Sequence, residues 1–361
     1  MALNIGIIGL PNSGKSTLFN ALTRGHAEAA NYPFCTIEPN VGVVEVPDFR
    51  LTQLAQNLSP DRVTPTRIRF VDIAGLVRGA SRGEGLGNQF LGHIRECDAI
   101  VQVVRCFDDE QVTHVDGQID PIRDTETIFT ELALADLQTV ADGLDRVRKV
   151  LRSDPKGPER KEESALVTVE EFLASGRPPQ LSMEHTEALT PYRLLTLKDT
   201  LYVANVSETD LPKGGEGFRA LVDRYGKKGV LTASARIESE LGELPVDDRA
   251  AFLADLGIGE PGIDRLIRAG YDLLGLHTFY TTANNLVQAW QLPRGATAPE
   301  AAGRIHSDME EGFIRAEVAR ADDLVGGATL EQLRDSGRLK VEGRDYVVED
   351  GDVIRFLFNT P

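Results

Sequence analysis

The sequence is poor in the features of extracellular and membrane proteins. Its three cysteines, Cys35, Cys97 and Cys106, have spacings that suit neither a disulfide framework nor a metal site. No run approaches the roughly 18 apolar residues of a membrane span, and the N-terminal stretch lacks the basic start of a signal peptide. We therefore expect reduced thiols, a cytoplasmic location and no membrane partner.

Positive charge is also scarce. The 39 basic and 56 acidic residues give a net charge of -17, which argues against broad, non-specific binding of nucleic acid but leaves room for a local basic patch. A chain of 361 residues exceeds one ordinary core, so two or three domains are predicted.

Strand and helix patterns alternate in the first third of the chain and return later. Apolar runs predict strands at 4–9, 41–46, 67–73, 99–105, 200–206 and 229–233. Helical periodicity predicts helices at 14–23, 88–97, 247–256 and 263–274. This rhythm is typical of a doubly wound, mostly parallel α/β sheet.

Two further patterns depart from this rhythm. Apolar residues at helical spacing over 125–152, a break at 154–158 and a second helix over 159–174 predict an inserted antiparallel helical hairpin, residues 124–198. After His277 the pattern is that of a small α+β module, residues 277–361. Its predicted strands are 278–280, 286–291, 314–318, 346–348 and 353–358, with a helix over 298–305. The nucleotide-binding domain would then cover 1–276.

The clearest functional signal is a phosphate-binding loop. Gly9 to Ser16 matches G-x-x-x-x-G-K-[ST] between a predicted strand and a predicted helix. Backbone N–H groups and the helix N-terminus suit phosphate, Lys15 adds charge, and Ser16 offers a hydroxyl to Mg²⁺. Predicted contacts to a purine nucleoside triphosphate come from Asn12, Ser13, Gly14, Lys15, Ser16 and Thr17.

Two later positions fit the same chemistry. Asp72 ends a predicted strand in Asp72-Ile73-Ala74-Gly75, so its carboxylate can hold a Mg²⁺ water and Gly75 can offer its N–H to the γ-phosphate. Thr36 lies in the loop between these motifs, where it can coordinate Mg²⁺ while the γ-phosphate is present. The alternatives are a surface turn at Asp72 and a solvated threonine at Thr36.

Long segments of the chain resemble the YchF branch of the Obg-like nucleotide triphosphatases. The resemblance rests on GLPNSGKST at 9–17, NYPFCTIEPN at 31–40, DIAGLVRGASRGEGLGNQF at 72–90, YVANVSE at 202–208, EPGIDRLIRAGYDLL at 260–274 and AWQLPRGATAPEAAGRIHSDMEEGFIR at 289–315. It implies a P-loop domain with an inserted hairpin and a C-terminal TGS domain of β-grasp type. It also implies an ATP-hydrolysing switch protein that acts on the ribosome.

Base selection is the informative departure from ordinary GTPases. Their Asn-Lys-x-Asp motif is here Asn205-Val206-Ser207-Glu208, which displaces the carboxylate that reads guanine. The resemblance implies ATP over GTP, with Asn205 and the backbone at Val206 near the base and Ser234-Ala235 as the following base-side loop. A conventional GTPase that tolerates Glu208 is the alternative.

The residue that would orient the attacking water is also replaced. Leu76 follows Gly75 where related GTPases carry glutamine, so another group or a partner must assist hydrolysis. Asn12 can hold a monovalent cation such as K⁺, as in related enzymes, or only stabilise the loop. His114 is a candidate base that the resemblance allows to swing toward the water; a surface histidine is the alternative. A nucleotide-gated binding module with slow hydrolysis also remains open.

Two surfaces are candidates for partners. Residues 146–161 contain seven basic side chains, which suits ribosomal RNA; the predicted contacts are Arg146, Arg148, Lys149, Arg152 and Lys156, and a solvated helix face is the alternative. The TGS module is acidic, with nine basic and fourteen acidic residues from Thr278 onward, and could contact the ribosome locally. Cys35 adjoins Thr36, so it is either a redox switch or a structural thiol. We expect a monomer.

Overall fold

The computed structural model describes residues 3–24, 40–73, 86–115, 117–283 and 285–359. In chain order, strands β1 to β12 span Asn4–Ile8, Val41–Glu45, Arg62–Thr64, Arg67–Asp72, Ala99–Arg105, Thr200–Asn205, Val230–Ala233, Leu276–Ala283, Leu286–Pro293, Phe313–Arg320, Lys340–Glu342 and Asp352–Phe358. Helices α1 to α14 span Lys15–Arg24, Phe49–Leu58, Leu86–Glu96, Pro121–Ser153, Glu159–Ala174, Met183–Leu189, Gly215–Tyr225, Ala235–Glu243, Val246–Asp255, Gly262–Leu273, Ala298–Ile305, Ser307–Glu311, Ala321–Val325 and Leu330–Asp335.

The chain divides into two compact units. The first contains Met1–Gly42 and Arg69–Leu266, and the second contains Val43–Ile68 and Ile267–Pro361. Within the described residues, no helix is both long and apolar enough to cross a bilayer.

The sheet of the first unit has the order β2-β4-β1-β5-β6-β7. Strands β4, β1, β5, β6 and β7 pair in parallel, and β5 is buried along its whole length. Strands β2 and β4 lie on one side of β1, and β5, β6 and β7 lie on the other. The strand order therefore reverses between β1 and β5, which is where ligands bind in folds of this class. The predicted doubly wound α/β class is confirmed.

Helices α4 and α5 form the hairpin within this unit. They bury Val140, Leu144 and Val147 against Ala165, Leu166, Val169 and Leu173, which follow the helical spacing seen in the sequence. The fully buried Asp136 carboxylate accepts hydrogen bonds from the backbone N–H groups of Leu195 (2.9 Å) and Thr196 (2.8 Å). Helix α4 is longer than predicted, because Asp120 caps it and Pro121 occupies its first turn.

The sheet of the second unit has the order β11-β10-β12-β8-β9-β3. The hairpin β8–β9 is antiparallel, β12 pairs with β8 in parallel, and β10 lies antiparallel to β12, which is the arrangement of a β-grasp. The predicted strand at 346–348 is instead an isolated bridge between Thr297 and Val347.

The observed units differ from the predicted domains at residues 43–68. We assigned this segment to a continuous domain 1–276, but it belongs to the unit that contains the C-terminal module. Strand β3 pairs in parallel with β9, and Leu51 and Leu54 of α2 pack in one core with Tyr280 and Val287. Neither α2 nor β3 was predicted, because their role depends on partners more than 200 positions away in the chain.

Candidate nucleotide site

The phosphate-binding loop connects β1 to α1 at the carboxyl edge of the first sheet. Two of its residues have left-handed backbone, Asn12 with φ 62° and Gly14 with φ 90°. A Cβ atom at Gly14 would lie 2.1 Å from Nδ2 of Asn205, so this position needs glycine both for its backbone angle and for its lack of a side chain.

The loop encloses one side of a cavity of about 570 Å³. The lining residues are Leu10, Pro11, Asn12, Ser13, Gly14, Lys15, Ser16, Thr17, Asn40 and Asp72. The cavity thus brings together the predicted phosphate ligands and two of the predicted Mg²⁺ residues, Ser16 and Asp72. Its volume falls within the range of small-ligand pockets.

The charged groups of this cavity are paired with each other. Nζ of Lys15 donates to Oδ1 of Asp72, and both side chains are mostly buried. Oγ of Ser13 is buried with no hydrogen-bond partner among the described residues. A buried ammonium and a buried hydroxyl next to open volume suit an anionic ligand, because a phosphate oxygen can accept hydrogen bonds from both.

The donor set agrees with a metal bound partly through phosphate. Among the described residues, no group of three or more His, Cys, Asp or Glu side chains is placed to hold a metal ion by itself. Mg²⁺ commonly takes one or two protein oxygens and completes its shell with phosphate oxygens and water. Ser16 and Asp72 supply that number. Thr36, Gly75, Cys35 and Leu76 lie outside the described residues, so their predicted roles stay predictions.

Asn205 links the phosphate-binding loop to the predicted base side. Its Nδ2 donates to the carbonyl of Ser13 (2.8 Å), and its Oδ1 accepts the N–H of Ala235 (2.9 Å). The side chain is buried and does not line the cavity. Its observed contacts therefore fix the distance between two loops.

The other base-side residues follow the ends of β6 and β7. The N–H of Val206 donates to the carbonyl of Ala233 (2.9 Å), and Ser234 and Ala235 are buried where α8 begins. Glu208 is exposed beyond β6, and the structure does not bring it to the phosphate cavity.

His114 is held away from the phosphate cavity. Its Nε2 lies 2.8 Å from Oδ2 of Asp124, and both side chains are 6% exposed. They border a space of about 10 Å³ beneath Leu10, Pro11 and Ser13. The adjacent Thr113 accepts a hydrogen bond from Nδ2 of Asn12 (3.0 Å), which leaves Oδ1 of Asn12 as the atom that could hold a monovalent cation.

Sequence reasoning missed two residues that organise this site. Asn40 lines the cavity, and Asp124 fixes His114. The NYPFCTIEPN run ends at Asn40 and offered a signal, whereas Asp124 was counted only as the start of the hairpin. Cys97 and Cys106 are free thiols, and burial raises their pKa to about 11 and about 12. They are therefore protonated and unreactive at neutral pH.

Comparison with known proteins gives the class and then the family. A family model described as 50S ribosome-binding GTPase matches residues 4–134, so this part of the chain is a P-loop nucleotide triphosphatase domain. The YchF-GTPase_C model, described as a protein of unknown function, matches residues 276–359.

Full-length relatives agree. The Ribosome-binding ATPase YchF of Bacillus subtilis is 49% identical, with 99% of this chain and 100% of the relative covered. The protein of the same name from Escherichia coli O157:H7 is 47% identical with the same coverage. The solved Schizosaccharomyces pombe YchF GTPase superposes with a TM-score of 0.87 at 33% identity, covering 98% of this chain and 97% of that one. The chain belongs to the YchF family.

Proposed function

We propose that this protein binds and hydrolyses ATP at the phosphate-binding loop and acts on the ribosome in the cytoplasm. The observation that carries the catalytic part is the single cavity that holds Lys15, Ser16 and Asp72. The ribosome part is supported by the names of relatives that are 47–49% identical over the whole chain.

The observed Lys15–Asp72 pair suggests how the site changes when it is filled. Phosphate oxygens compete for Lys15, and the Asp72 carboxylate is then available to the metal with Ser16. Mg²⁺ would neutralise charge on the outer phosphates. Thr36 and Gly75 complete the proposed contacts around the γ-phosphate. The loop already has its turn, with left-handed backbone at Asn12 and Gly14.

ATP is the proposed substrate because Glu208 stands in place of the aspartate that reads guanine. Asn205 and Val206, with Ser234 and Ala235, form the proposed base side. A GTPase is the second candidate, favoured by the description of the matched family model. Calorimetric titration with each nucleotide and Mg²⁺ separates the two, and a tighter constant for GTP would overturn the assignment.

The phosphate site has a direct test. Lys15→Ala removes a charge-assisted contact, which should weaken ATP binding by about 10- to 150-fold. Lys161→Ala is a suitable control, because Lys161 is an exposed lysine of the hairpin in the same unit, where it pairs with Glu184. Hydrolysis that survives both Lys15→Ala and Ser16→Ala would place the active site elsewhere.

We further propose that the exposed cations of the hairpin contact ribosomal RNA. Lys149, Arg152 and Lys156 are exposed, with no carboxylate within 4 Å among the described residues. By contrast, Nη2 of Arg146 donates to Glu162 (2.8 Å), and Nε of Arg148 donates to Glu163 (3.3 Å). Unpaired cations give phosphate contact without first breaking an ion pair, so the proposal rests mainly on the first three.

A salt series tests this contact. Replacing Lys149, Arg152 and Lys156 by glutamine should weaken co-sedimentation with ribosomes and reduce the log–log salt slope by roughly 0.7 to 0.9 per lost phosphate contact. The matched control neutralises the paired cations Arg146, Arg148 and Lys161, which removes the same charge. If both triple variants lose binding equally, total charge and not the unpaired set determines the interaction.

A further inference from the structure

A second cavity, of about 600 Å³, lies wholly within the unit formed by residues 43–68 and 267–361. Five separate segments line it: the start of α2, the end of α10, the start of β8, the turn after β9 and residues 348–350. Its volume is large enough for one nucleotide. No role identified above for the phosphate-binding loop or the hairpin uses it.

Two of the carboxylates in this cavity are occupied by the protein itself. Asp350 accepts hydrogen bonds from Nη1 of Arg50 (2.8 Å) and from the N–H of Thr278 (2.9 Å). Burial raises the pKa of Asp350, but these two hydrogen bonds outweigh it and lower the pKa overall. Asp48 caps α2 and accepts the hydroxyl of Tyr280. Their negative charge is therefore largely compensated.

The remaining carboxylates are also paired. Asp272 accepts Nη2 of Arg294 at 2.7 Å, and Glu349 accepts Nη1 of Arg320 at 3.1 Å. A guanidinium carries five N–H donors, so Arg294, which is 58% exposed, retains donors for a ligand. Arg268 and Arg50 also belong to the wall, and Arg50 is occupied by Asp350. Arg294 is therefore the guanidinium group of this cavity with donors that a ligand can reach.

His277 lies in the same wall with an unsatisfied ring nitrogen. The residue is 9% exposed, and its Nε2 has no hydrogen-bond partner among the described residues. Burial lowers the pKa of His277, which favours the neutral ring. A buried polar atom without a partner is costly, and a ligand or water that reaches it removes this cost.

An exposed aromatic ring stands at the edge of this polar wall. Phe49, the first residue of α2, is 71% exposed and lines the cavity together with Val46, Leu276 and Val348. A large aromatic side chain in water, in a wall that also contains the exposed Arg294, is the combination on which an unpaired base stacks while arginine binds its phosphate.

We propose that this cavity binds one unstacked nucleotide, with its base on Phe49 and its phosphate at Arg294. The nucleotide is either free or part of a single RNA strand, since both present a base face and a phosphate. The site goes beyond the ATP-hydrolysing function proposed above, because it stands without Lys15, Ser16 and Asp72.

Binding is measured on the full chain after the phosphate-binding loop has been saturated with a non-hydrolysable ATP analogue and Mg²⁺. The probes are uridine monophosphate, by calorimetry, and a labelled oligouridylate of about ten nucleotides, by fluorescence anisotropy. Phe49→Ala and Arg294→Ala should each weaken binding about tenfold, a typical effect of losing one base-stacking or charged contact. Both side chains are largely exposed, so the fold should tolerate each change.

The matched controls are Val341→Ala and Arg355→Ala, which alter an exposed apolar side chain and a singly paired arginine elsewhere in the same unit. Binding of both probes identifies the mononucleotide as the ligand, and binding of the oligonucleotide alone identifies an RNA strand. If neither probe binds, or if the cavity variants bind as well as the controls, the proposal is wrong. Unassisted ATPase activity should be unchanged in Phe49→Ala, so failure of this site and failure of the ATP site appear in different assays.

Discussion

The phosphate-binding cavity and the cavity of the second unit have nearly the same volume, about 570 and 600 Å³, but the residues that line them are distributed differently along the chain. The first is formed mainly by eight consecutive residues, 10–17, which belong to one loop and the start of the helix that follows it. The second is formed by side chains from five segments separated by up to 300 positions. A site formed by consecutive residues can be recognised from the sequence because its geometry is local. A site formed by side chains from distant segments depends on which strands pair in the sheet, and the sequence pattern does not show that.

The largest expected effect is a loss of ATP affinity when one methyl group is added to the phosphate-binding loop. Gly14→Ala places a Cβ atom against Asn205 at φ 90°, so the two hydrogen bonds of Asn205 must be disrupted. The loss of these hydrogen bonds adds to the cost of about 1–2 kcal/mol for alanine in left-handed backbone, so calorimetry should show ATP affinity falling on the order of 100-fold.

Gly295→Ala is the comparison in the second cavity. Gly295 has φ 86°, similar to Gly14, but an added Cβ would meet nothing within 4 Å. The backbone cost of about 1–2 kcal/mol should lower stability and leave ATP affinity unchanged. Equal losses of ATP binding in the two variants would show that backbone strain alone, and not the contact with Asn205, determines the effect.

A smaller effect should follow from removing the link between the loops. Asn205→Ala deletes the donor to Ser13 and the acceptor for Ala235 without crowding Gly14, so ATP binding should weaken about tenfold by calorimetry. Asn205→Asp keeps the acceptor and should lose less. If the alanine variant binds as well as the original chain, the loops keep their spacing without this residue.

The next prediction concerns the small space beneath the phosphate-binding loop, which His114 and Asp124 border. Asp124→Asn replaces a charged partner of His114 with a neutral one and weakens that bond by about 1 kcal/mol. If His114 must leave Asp124 to reach the attacking water, unassisted ATP hydrolysis should rise about fivefold. His114→Ala in the same background should abolish the rise. A fall in turnover for Asp124→Asn would instead identify Asp124 as the group that orients an already active His114.

The smallest effect concerns pH and the second cavity. Burial lowers the folded-state pKa of His277 below its unfolded value of about 6.5, so the unfolded chain binds more protons between the two values. Stability from this residue is therefore complete above about pH 6.5 and is lost as the pH falls. Asp350, whose folded pKa is lowered, adds a second loss below about pH 4.

The single tryptophan, Trp290 in β9, reports unfolding of this unit alone. Thermal unfolding followed by its fluorescence should show a shallower dependence between pH 5 and 6.5 for His277→Asn than for the original chain. His306→Asn, at an exposed histidine of the same unit, is the control. An unchanged slope in His277→Asn would mean that His277 does not couple folding to protons.

The sequence was sufficient where structure is local. Strand β5 and helices α5 and α11 have the predicted bounds, and the phosphate loop has the predicted strand–turn–helix context. The pattern could not show that residues 43–68 join the second unit, since β3 has only three residues and its pairing with β9 is long-range. Likewise, the basic run of the hairpin was evident, but only the contacts show that Arg146 and Arg148 have carboxylate partners, whereas Lys149 has none in the described part of the chain.

The candidate site follows the same division. Lys15, Ser16 and Asp72 meet in one cavity because a parallel sheet brings the ends of β1 and β4 to one edge. The partner of His114 was missed because Asp124 belongs to a helix whose start was predicted too late. Asp120 as N-cap residue and Pro121 in the first turn are the sequence signals of a helix start that would have placed Asp124 in the first turn.

Helix α4 connects the hairpin tip to the neighbourhood of His114 through one continuous helix. Its 33 residues form an unbroken rod about 50 Å long, with Asp124 in the first turn and Arg152 in the last. The Asp136 carboxylate, held by the N–H groups of Leu195 and Thr196, lies near the middle of this rod. At a rise of 1.5 Å per residue it is about 18 Å from Asp124 and about 24 Å from Arg152. A tilt of the rod about this point would therefore move Asp124, the partner of His114, about three quarters as far as it moves Arg152.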